Sequence, residues 1–464
     1  MLEPLYTADE MRSAEAQYPG FPDTAPELME RAGAGAAAVA LEEFEEARDW
    51  TVVCGGGSNG GDGRIVARHL LEAGRRVRVV DAKAGEWDLG DADVIVDALF
   101  GTGFTGSPRD DARALIEGIN AHDAPVLSID LPSGVDASTG EIAESAVEAD
   151  ITVTFHARKV GHLVAPGRFH AGGVHVVDIG LERGPTHVHM ANVELLDVVP
   201  RRSERDNKYT SGHVLVVGGS RGLTGAPQLT ALAAMRADAG YVTVAAPQSI
   251  VAALELRLLE AVKRGLPEDG EGTLAAKAAD AILELAGKAS AIAIGPGLGR
   301  GAGTAAVVRR VLAEAELPVV VDADALFELE PGDWPAPRVL TPHEGELGRL
   351  LGRDSKEIAA HRLAAVREAV ERFRCCVLLK GPDTIVAAPG AGEIVVSLGR
   401  PSLATAGTGD VLTGIVAAFL AKGLEPQLGA AAAVVAQQRA SVVAPQHSGL
   451  VAGDLIDVLP QVLG

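Results

Sequence analysis

Short apolar runs and helical patterns alternate along the whole of this chain. In the first part, strand-like runs stand at Thr51–Cys54, Val77–Asp81, Val94–Leu99, Val126–Asp130, Ile151–Phe155 and Val174–Asp178, with helical stretches such as Gly61–Ala73 and Asp111–Ala121 between them. Near-continuous apolar strands separated by helices predict parallel sheets covered on both faces. The segment Val199–Lys208 (VPRRSERDNK) is polar, charged and without apolar period, and reads as a linker. The pattern then restarts with strands at His213–Val217, Tyr241–Ala245, Ala291–Ile294, Val319–Asp322, Val339–Leu340 and Val377–Lys380. A hairpin is predicted at Thr384–Ala387 and Glu393–Ser397, and closing helices near Gly409–Ala421, Leu428–Val443 and Ala452–Leu459. No short repeat is present, so the halves read as two different α/β folds: residues 1–198, a linker at 199–208, and residues 209–464.

Bulk properties narrow the function classes. With 47% hydrophobic and 22% charged residues, the chain has a globular balance. A net charge of -22 repels nucleic acid and anionic membranes, so neither is expected as a partner. Only 9 of 41 basic residues are Lys. This acidic, Lys-poor composition resembles proteins of salt-loaded cytoplasms; the plainer reading is an acidic protein biased to Arg by GC-rich coding. Cys54, Cys375 and Cys376 form no disulfide framework and suit small apolar packing positions in a reducing compartment. The N-terminus lacks the pattern of a signal peptide, and no apolar stretch reaches membrane-spanning length, so a cytoplasmic protein is expected.

The segment Cys54–Arg64, CGGGSNGGDGR, contains Gly55-x-Gly57-x-x-Gly60 after a strand and before a helix, with Asp81 ending the next strand. That is the pattern of a dinucleotide-binding loop. Asn59 and Asp62 point elsewhere, because a pyrophosphate loop gains nothing from a carboxylate. Two further loops, Asp97–Gly106 (DALFGTGFTG) and Ile129–Gly134 (IDLPSG), also follow strands. In an open parallel sheet such loops share one crevice, which would gather Asn59, Asp62, Asp97, Asp130 and Ser133. Asn59, Asp97 and Ser133 offer oxygens with one formal charge, which suits a monovalent cation. The plainer reading of Asp97 and Asp130 is as strand-end caps.

These three motifs make residues 1–198 resemble the NAD(P)H-hydrate epimerase family. The resemblance implies a Rossmann-like three-layer sandwich with K⁺ on Asn59, Asp97 and Ser133. It also implies substrate contacts from Ser58, Asn59, Gly60, Gly61, Asp62, from Gly101, Thr102, Gly103, Phe104, Thr105, Gly106, and from Asp130. Ser58 stands where the family usually has Asn. Asp130 is the candidate acid/base, on the expectation that a shielded carboxylate has its pKa raised toward the working pH. Lys159 could pair with a substrate phosphate or with a surface carboxylate.

In the second half, Ala404–Gly414 (ATAGTGDVLTG) opens an apolar helix. Consecutive backbone N–H groups at Ala406–Gly409 would form an anion hole, and Asp410 could take a proton from an attacking hydroxyl. The plainer reading of Asp410 is a first-turn helix charge. No GxxxxGK[ST] is present. Further strand-end loops are GGSRGLTGA (Gly218–Ala226), GPGLG (Gly295–Gly299), TPHEGE (Thr341–Glu346) and KGPDT (Lys380–Thr384). Together they resemble the ribokinase-like superfamily, and within it the ADP- or ATP-dependent NAD(P)H-hydrate dehydratases. The resemblance implies hydrate contacts from Ala226, Gly297, His343 and Asp410. It implies nucleotide contacts from Lys380, Gly381, Pro382, Asp383, Thr384 and Gly409, with Asp410 catalytic and Mg²⁺ as cofactor. Arg400-Pro401-Ser402 departs from the commoner Asn-Pro-Gly.

The expectation from both halves is a metabolite-repair enzyme. Its N-terminal domain would interconvert the R and S hydrates NADHX and NADPHX. Its C-terminal domain would dehydrate the S form with ADP, giving AMP and phosphate. A homo-oligomer is expected. The competing readings are a ribokinase-like vitamin-precursor kinase, and an N-terminal domain that only binds or dimerises.

Overall fold

The computed structural model describes residues 2–464 except Glu86, Asp206, Tyr209, Thr210 and His447. Asp206 of the expected linker and Tyr209, where the second domain was expected to open, therefore lie outside the described residues. The contacts divide the chain into two compact units: Pro4–His189 with Ala359–His361, and Met190–Ile358 with Arg362–Gly464 and Met1–Glu3. The division falls nine residues before the boundary read from composition. The cause is the short segment Val193–Val198, whose Leu195 and Leu196 pack into the core of the second unit.

The first unit is built on a six-stranded sheet in the order Arg76–Asp81, Asp49–Cys54, Val94–Ala98, Val126–Ile129, Ile151–Phe155, Gly173–Val177, parallel throughout. Successive side chains of a strand face opposite ways. Val52 and Cys54 accordingly join the core on one side, with Ala36, Ala40, Val66 and Leu70 from the helices Ala25–Glu43 and Ser58–Glu72. Val53 joins the other, with Leu115, Ile116 and Ile119 of the helix Asp110–Asn120. Both faces are covered, which is why these strands lack a polar alternation.

The second sheet has eleven strands, in the order Leu2–Leu5, Val188–Ala191, Glu393–Val396, Thr384–Ala387, Cys376–Leu379, Arg338–Leu340, Val319–Val321, Ala291–Ile294, His213–Val217, Tyr241–Pro247, Val262–Leu266. The seven from Cys376 to Leu266 in that order are parallel, and the expected hairpin adds antiparallel strands. Three edge or near-edge strands, Leu2–Leu5, Val188–Ala191 and Val262–Leu266, were not read from the sequence; each is short and carries charged or polar residues. The helix Thr408–Ala421 is buried at every position from Val411 to Ala421, so it runs through the core rather than over it. Among the described residues no helix is long and apolar enough to cross a membrane.

Candidate active sites

In the first unit, parallel register places strand ends side by side: Cys54 beside Ala98, and Asp97 beside Ser128. The loops that follow meet at a cavity of about 730 Å³, lined by Ser58, Asn59, Asp62, Gly101–Thr105, Asp130 and Lys159, with Met11, Leu28, Met29 and Phe155 as apolar wall. The structure therefore brings most of the sequence-predicted substrate residues together. Gly60 and Gly61 serve close packing: a Cβ would stand 1.9 Å from the Gly55 carbonyl oxygen and 2.8 Å from Met29 Sδ, respectively. Gly106 takes a left-handed φ of +77° with nothing within 4 Å of an added Cβ. Asp81, which a dinucleotide loop would offer to a ribose, is half-exposed and paired with Arg64 at 2.9 Å.

Asp130 sits just past its strand with φ 68°, a left-handed conformation costly for a residue with a Cβ. Its N–H donates to the Val153 carbonyl (2.7 Å), and His162 Nε2, whose Nδ1 accepts the Lys159 N–H, donates to its carbonyl (2.8 Å). Oδ2 accepts the Thr102 N–H at 2.8 Å and the Thr102 hydroxyl. Oδ1 faces the Lys159 ammonium at 2.8 Å and the Thr154 hydroxyl at 3.2 Å. The carboxylate Lys159 pairs with is the buried Asp130, not one at the surface. Lys159 Nζ is buried, donating also to Thr154 Oγ1 (2.7 Å) and the Phe155 carbonyl (2.9 Å). This corrects the expectation for Asp130. Burial pushes its carboxyl up, but Lys159 and Thr102 outweigh burial and bring the pKa down to about 2. Asp62 in the same cavity does rise, to about 8, pushed by burial and by the charges of Asp130 and Glu15, against Lys159; Glu15, which also lines the cavity, is raised by burial and by Asp130.

The presumed ion ligands occupy two settings. Asp97 and Ser133 are fully buried and bonded to each other, Ser133 Oγ to Oδ1 at 2.6 Å and Ser133 N–H to Oδ2 at 2.9 Å; Ser128 and the Leu99 N–H complete the shell. Burial raises the Asp97 carboxyl above its ordinary range, and these hydrogen bonds oppose it. Asn59 is buried beside Gly101, and both polar atoms of its side chain are without a hydrogen-bond partner.

In the second unit the helix Thr408–Ala421 starts at Gly407, whose φ of 90° favours glycine, and Asp410 follows in its first turn. A Cβ at Gly409 would stand 3.6 Å from Lys380 Nζ, so the Lys380–Thr384 turn adjoins the presumed anion hole. Within that turn Gly381 and Pro382 are exposed, and Thr384 is buried in its strand. Asp383 is fully buried against the fully buried Arg362, Nε to Oδ1 3.1 Å. Ala226 and Gly297 adjoin: a Cβ at Gly297 would lie 3.3 Å from that of Ala226. Thr230 donates to the carbonyls of both Ala226 and Asp410, 3.1 Å each, which ties the hydrate residues together. His343 is exposed and caps the helix Glu344–Leu351, its Nδ1 accepting the Gly345 N–H at 3.0 Å. Burial and the charge of Asp322 push the Asp410 carboxyl up to about 7, with Lys380 opposing and Asp324 assisting.

Asp322 is the residue that sequence reasoning missed. It is buried where the strand Val319–Val321 ends, and Oδ1 accepts from Lys380 Nζ (2.9 Å) and Thr341 (2.8 Å) while Oδ2 accepts from Thr413 (2.7 Å). The signal was present: Asp97, Asp130 and Asp322 each stand at or just after a strand's C-terminus, and only the first two lay in recognised motifs.

Comparison with known proteins follows the same division. A family model described as NAD(P)H-hydrate dehydratase matches residues 214–461, and one described as YjeF-related protein N-terminus matches residues 25–86 and 80–161. The bifunctional NAD(P)H-hydrate repair enzymes Nnr of Salinibacter ruber and Moorella thermoacetica are 38% and 37% identical, over 99% and 98% of this chain and 96% and 94% of theirs. An ADP/ATP-dependent NAD(P)H-hydrate dehydratase structure from Bacillus subtilis, co-crystallized with ATP/Mg²⁺, superposes with TM-score 0.52 at 29% identity, covering 58% of this chain and 96% of that one. Two different α/β units, motif loops gathered at strand ends in each, and relatives aligned along nearly the whole length lead to one assignment: the chain belongs to the bifunctional NAD(P)H-hydrate repair enzyme family.

Proposed function

We propose that the cavity of the first unit epimerises the hydrates of NADH and NADPH at C6, and that the second unit dehydrates the S hydrate with ADP. The observation that carries this reading is the gathering of Asp62, Asp130 and Lys159 in one cavity, with Asp130 in contact with the Lys159 ammonium and Asp62, like Glu15, raised by burial beside it. Carboxyls pushed apart in this way mark separate acid and charge-stabilising roles. Asp62 would give its proton to the C6 hydroxyl, which leaves as water while the ring nitrogen's lone pair forms a C=N⁺ bond. The Asp130 carboxylate would stabilise that cation. Water would return on the other face and give its proton back to Asp62.

Asn59, Asp97 and Ser133 would hold K⁺, which fixes the loops and offsets negative charge there. The buried, unpartnered side chain of Asn59 fits that role. In the second unit Asp410 would accept the C6 hydroxyl proton as the oxygen attacks the β-phosphorus of ADP. AMP leaves; the C6–O bond then breaks with its electron pair going to phosphate, the C5 proton passes to that phosphate or to water, and the C5–H pair forms the C5=C6 bond of the dihydropyridine. Ala226, Gly297 and His343 would contact the hydrate, and Lys380–Thr384 with Gly409 the nucleotide. Mg²⁺ is held largely by substrate phosphates and water, so it would enter with the nucleotide. A cytoplasmic setting is supported by three free cysteines, all buried. The test is incubation of pure protein with mixed hydrate epimers and ADP: dihydronicotinamide absorbance should return in full, with AMP and phosphate formed.

A further inference from the structure

Two carboxylates face one ammonium in the second unit. Lys380 Nζ lies 2.9 Å from Asp322 Oδ1 and 3.8 Å from Glu346 Oε2, beneath the turn that carries Gly409 and Asp410. Asp322 in turn gathers groups from four elements. These are its own strand end, Thr341 after the strand Arg338–Leu340, Lys380 after the strand Cys376–Leu379, and Thr413 one turn beyond Asp410. A buried carboxylate with both oxygens hydrogen-bonded to fixed groups holds its partners in one geometry.

We propose that Asp322 is a positioning residue of the dehydratase site: it ties Lys380 down under the anion hole and keeps its ammonium from pairing with Asp410. This rests on the reading of Asp410 as the proton acceptor. An aspartate in direct contact with a lysine is a poor base, as Asp130 beside Lys159 illustrates. The charged groups around Asp410 are Asp322 and Asp324 from one loop, Lys380 from the next, and Glu346 across from Lys380. Three are negative, and the single positive one is already bound. The same anchor aligns Thr413 and hence the first turn of the helix, so Asp322 sets both the direction and the basicity of the acceptor.

The experiment is the pH profile of dehydration by Asp322→Asn in the full chain, with saturating ADP and S hydrate. Without the Asp322 charge, Lys380 turns to Asp410. We expect kcat to fall about 10–100-fold, a misplacement effect, and the acid limb to move down by about one pH unit. The KM for ADP should change less than kcat. A fall in kcat with an unmoved acid limb, or a change confined to KM, overturns the proposal. Asp410→Asn run alongside separates the two readings: if it keeps full activity, Asp410 is not the acceptor and the proposal falls with it. Should Asp322→Asn not fold, Thr413→Val removes one hydrogen bond to the same carboxylate without a charge change. It should lower kcat in the same direction by a smaller factor, and an unchanged kcat overturns the proposal.

Discussion

Both candidate sites pair an aspartate at the mouth of a parallel sheet with a lysine, fully buried in the first and 21% exposed in the second, and they use the pair in opposite ways. In the first unit Lys159 contacts Asp130 itself at 2.8 Å, and the carboxyl falls to about 2. In the second unit Lys380 contacts Asp322 at 2.9 Å, and the carboxyl of Asp410 rises to about 7. On the proposed mechanism the lysine's partner, together with burial, separates a fixed charge at Asp130 from a proton acceptor at Asp410. An epimerase that passes through a cationic ring needs the former; a transfer that must deprotonate a hydroxyl needs the latter.

The sharpest way to break this comparison is to remove the acceptor. Asp410→Asn should lower dehydration by about 10²–10⁴-fold and leave epimerisation of the R hydrate near normal, since the two residues belong to separate compact units. Equal loss of both activities, followed by separate assays on resolved epimers, would show that the sites are not independent.

Lys159→Met attacks the other side. It leaves Asp130 buried without its cation, so burial is opposed chiefly by the Thr102 hydrogen bonds and the pKa climbs. Breaking a buried ion pair by deleting one partner costs about 3–5 kcal/mol of stability, so thermal unfolding of the first unit should shift down. Epimerisation should fall about 100-fold, while ADP-driven repair of pure S hydrate stays intact. Asp130→Asn should give the same pattern on mixed epimers: fast return of the S fraction, then a stall. Fast and complete repair by either variant would remove this pair from the epimerase machinery.

How much of this was legible beforehand differs between backbone and side chains. The strands around each site were readable because buried parallel strands are continuous apolar runs, and the loops because Gly clusters after them have few other uses. The edge strand Val262–Leu266 was not, since Lys263, Arg264 and Gly265 break its apolar pattern. Asp130 was found but given the wrong titration, because spacing shows where a carboxyl stands and not which ammonium folds against it from 29 residues downstream. Lys159 was singled out without its partner for the same reason. Asp322 was passed over because DADAL lacked the glycines that drew attention to other loops.

The pH profiles sharpen the comparison without mutation. Asp410 must be ionised to accept a proton, so dehydration should fall as pH drops below about 7, roughly tenfold per unit. Asp62 must be protonated to donate, so epimerisation should fall as pH rises above about 8. The two activities of one preparation should therefore decline at opposite ends of the range. Limbs on the same side for both would mean that one carboxyl has been given the wrong role.

The smallest effect expected concerns the ion, and it tests whether the first site depends on something the second does not. Asp97 and Ser133 already satisfy each other, so they alone do not call for a cation. The proposal rests on Asn59: its amide is buried with neither oxygen nor nitrogen hydrogen-bonded, and leaving such a group unpaired costs about 1–3 kcal/mol. The proposed monovalent cation on the Asn59 oxygen, with Asp97 and Ser133 completing the oxygens, would remove part of that cost and pin three loops together. A ligand that binds only the folded state adds stability, about 2.7 kcal/mol at 100 times its dissociation constant. Replacing K⁺ with a large organic cation at equal ionic strength should therefore lower the unfolding temperature of the first unit and slow epimerisation a few-fold. Matching ionic strength keeps general screening of a chain with net charge -22 out of the comparison. Asn59→Ala should remove the K⁺ dependence of that unfolding temperature, whatever it does to the rate. If the unfolding temperature of the unmutated protein ignores the swap, the three oxygens do not form an ion site, and the unpaired amide of Asn59 belongs to the substrate instead.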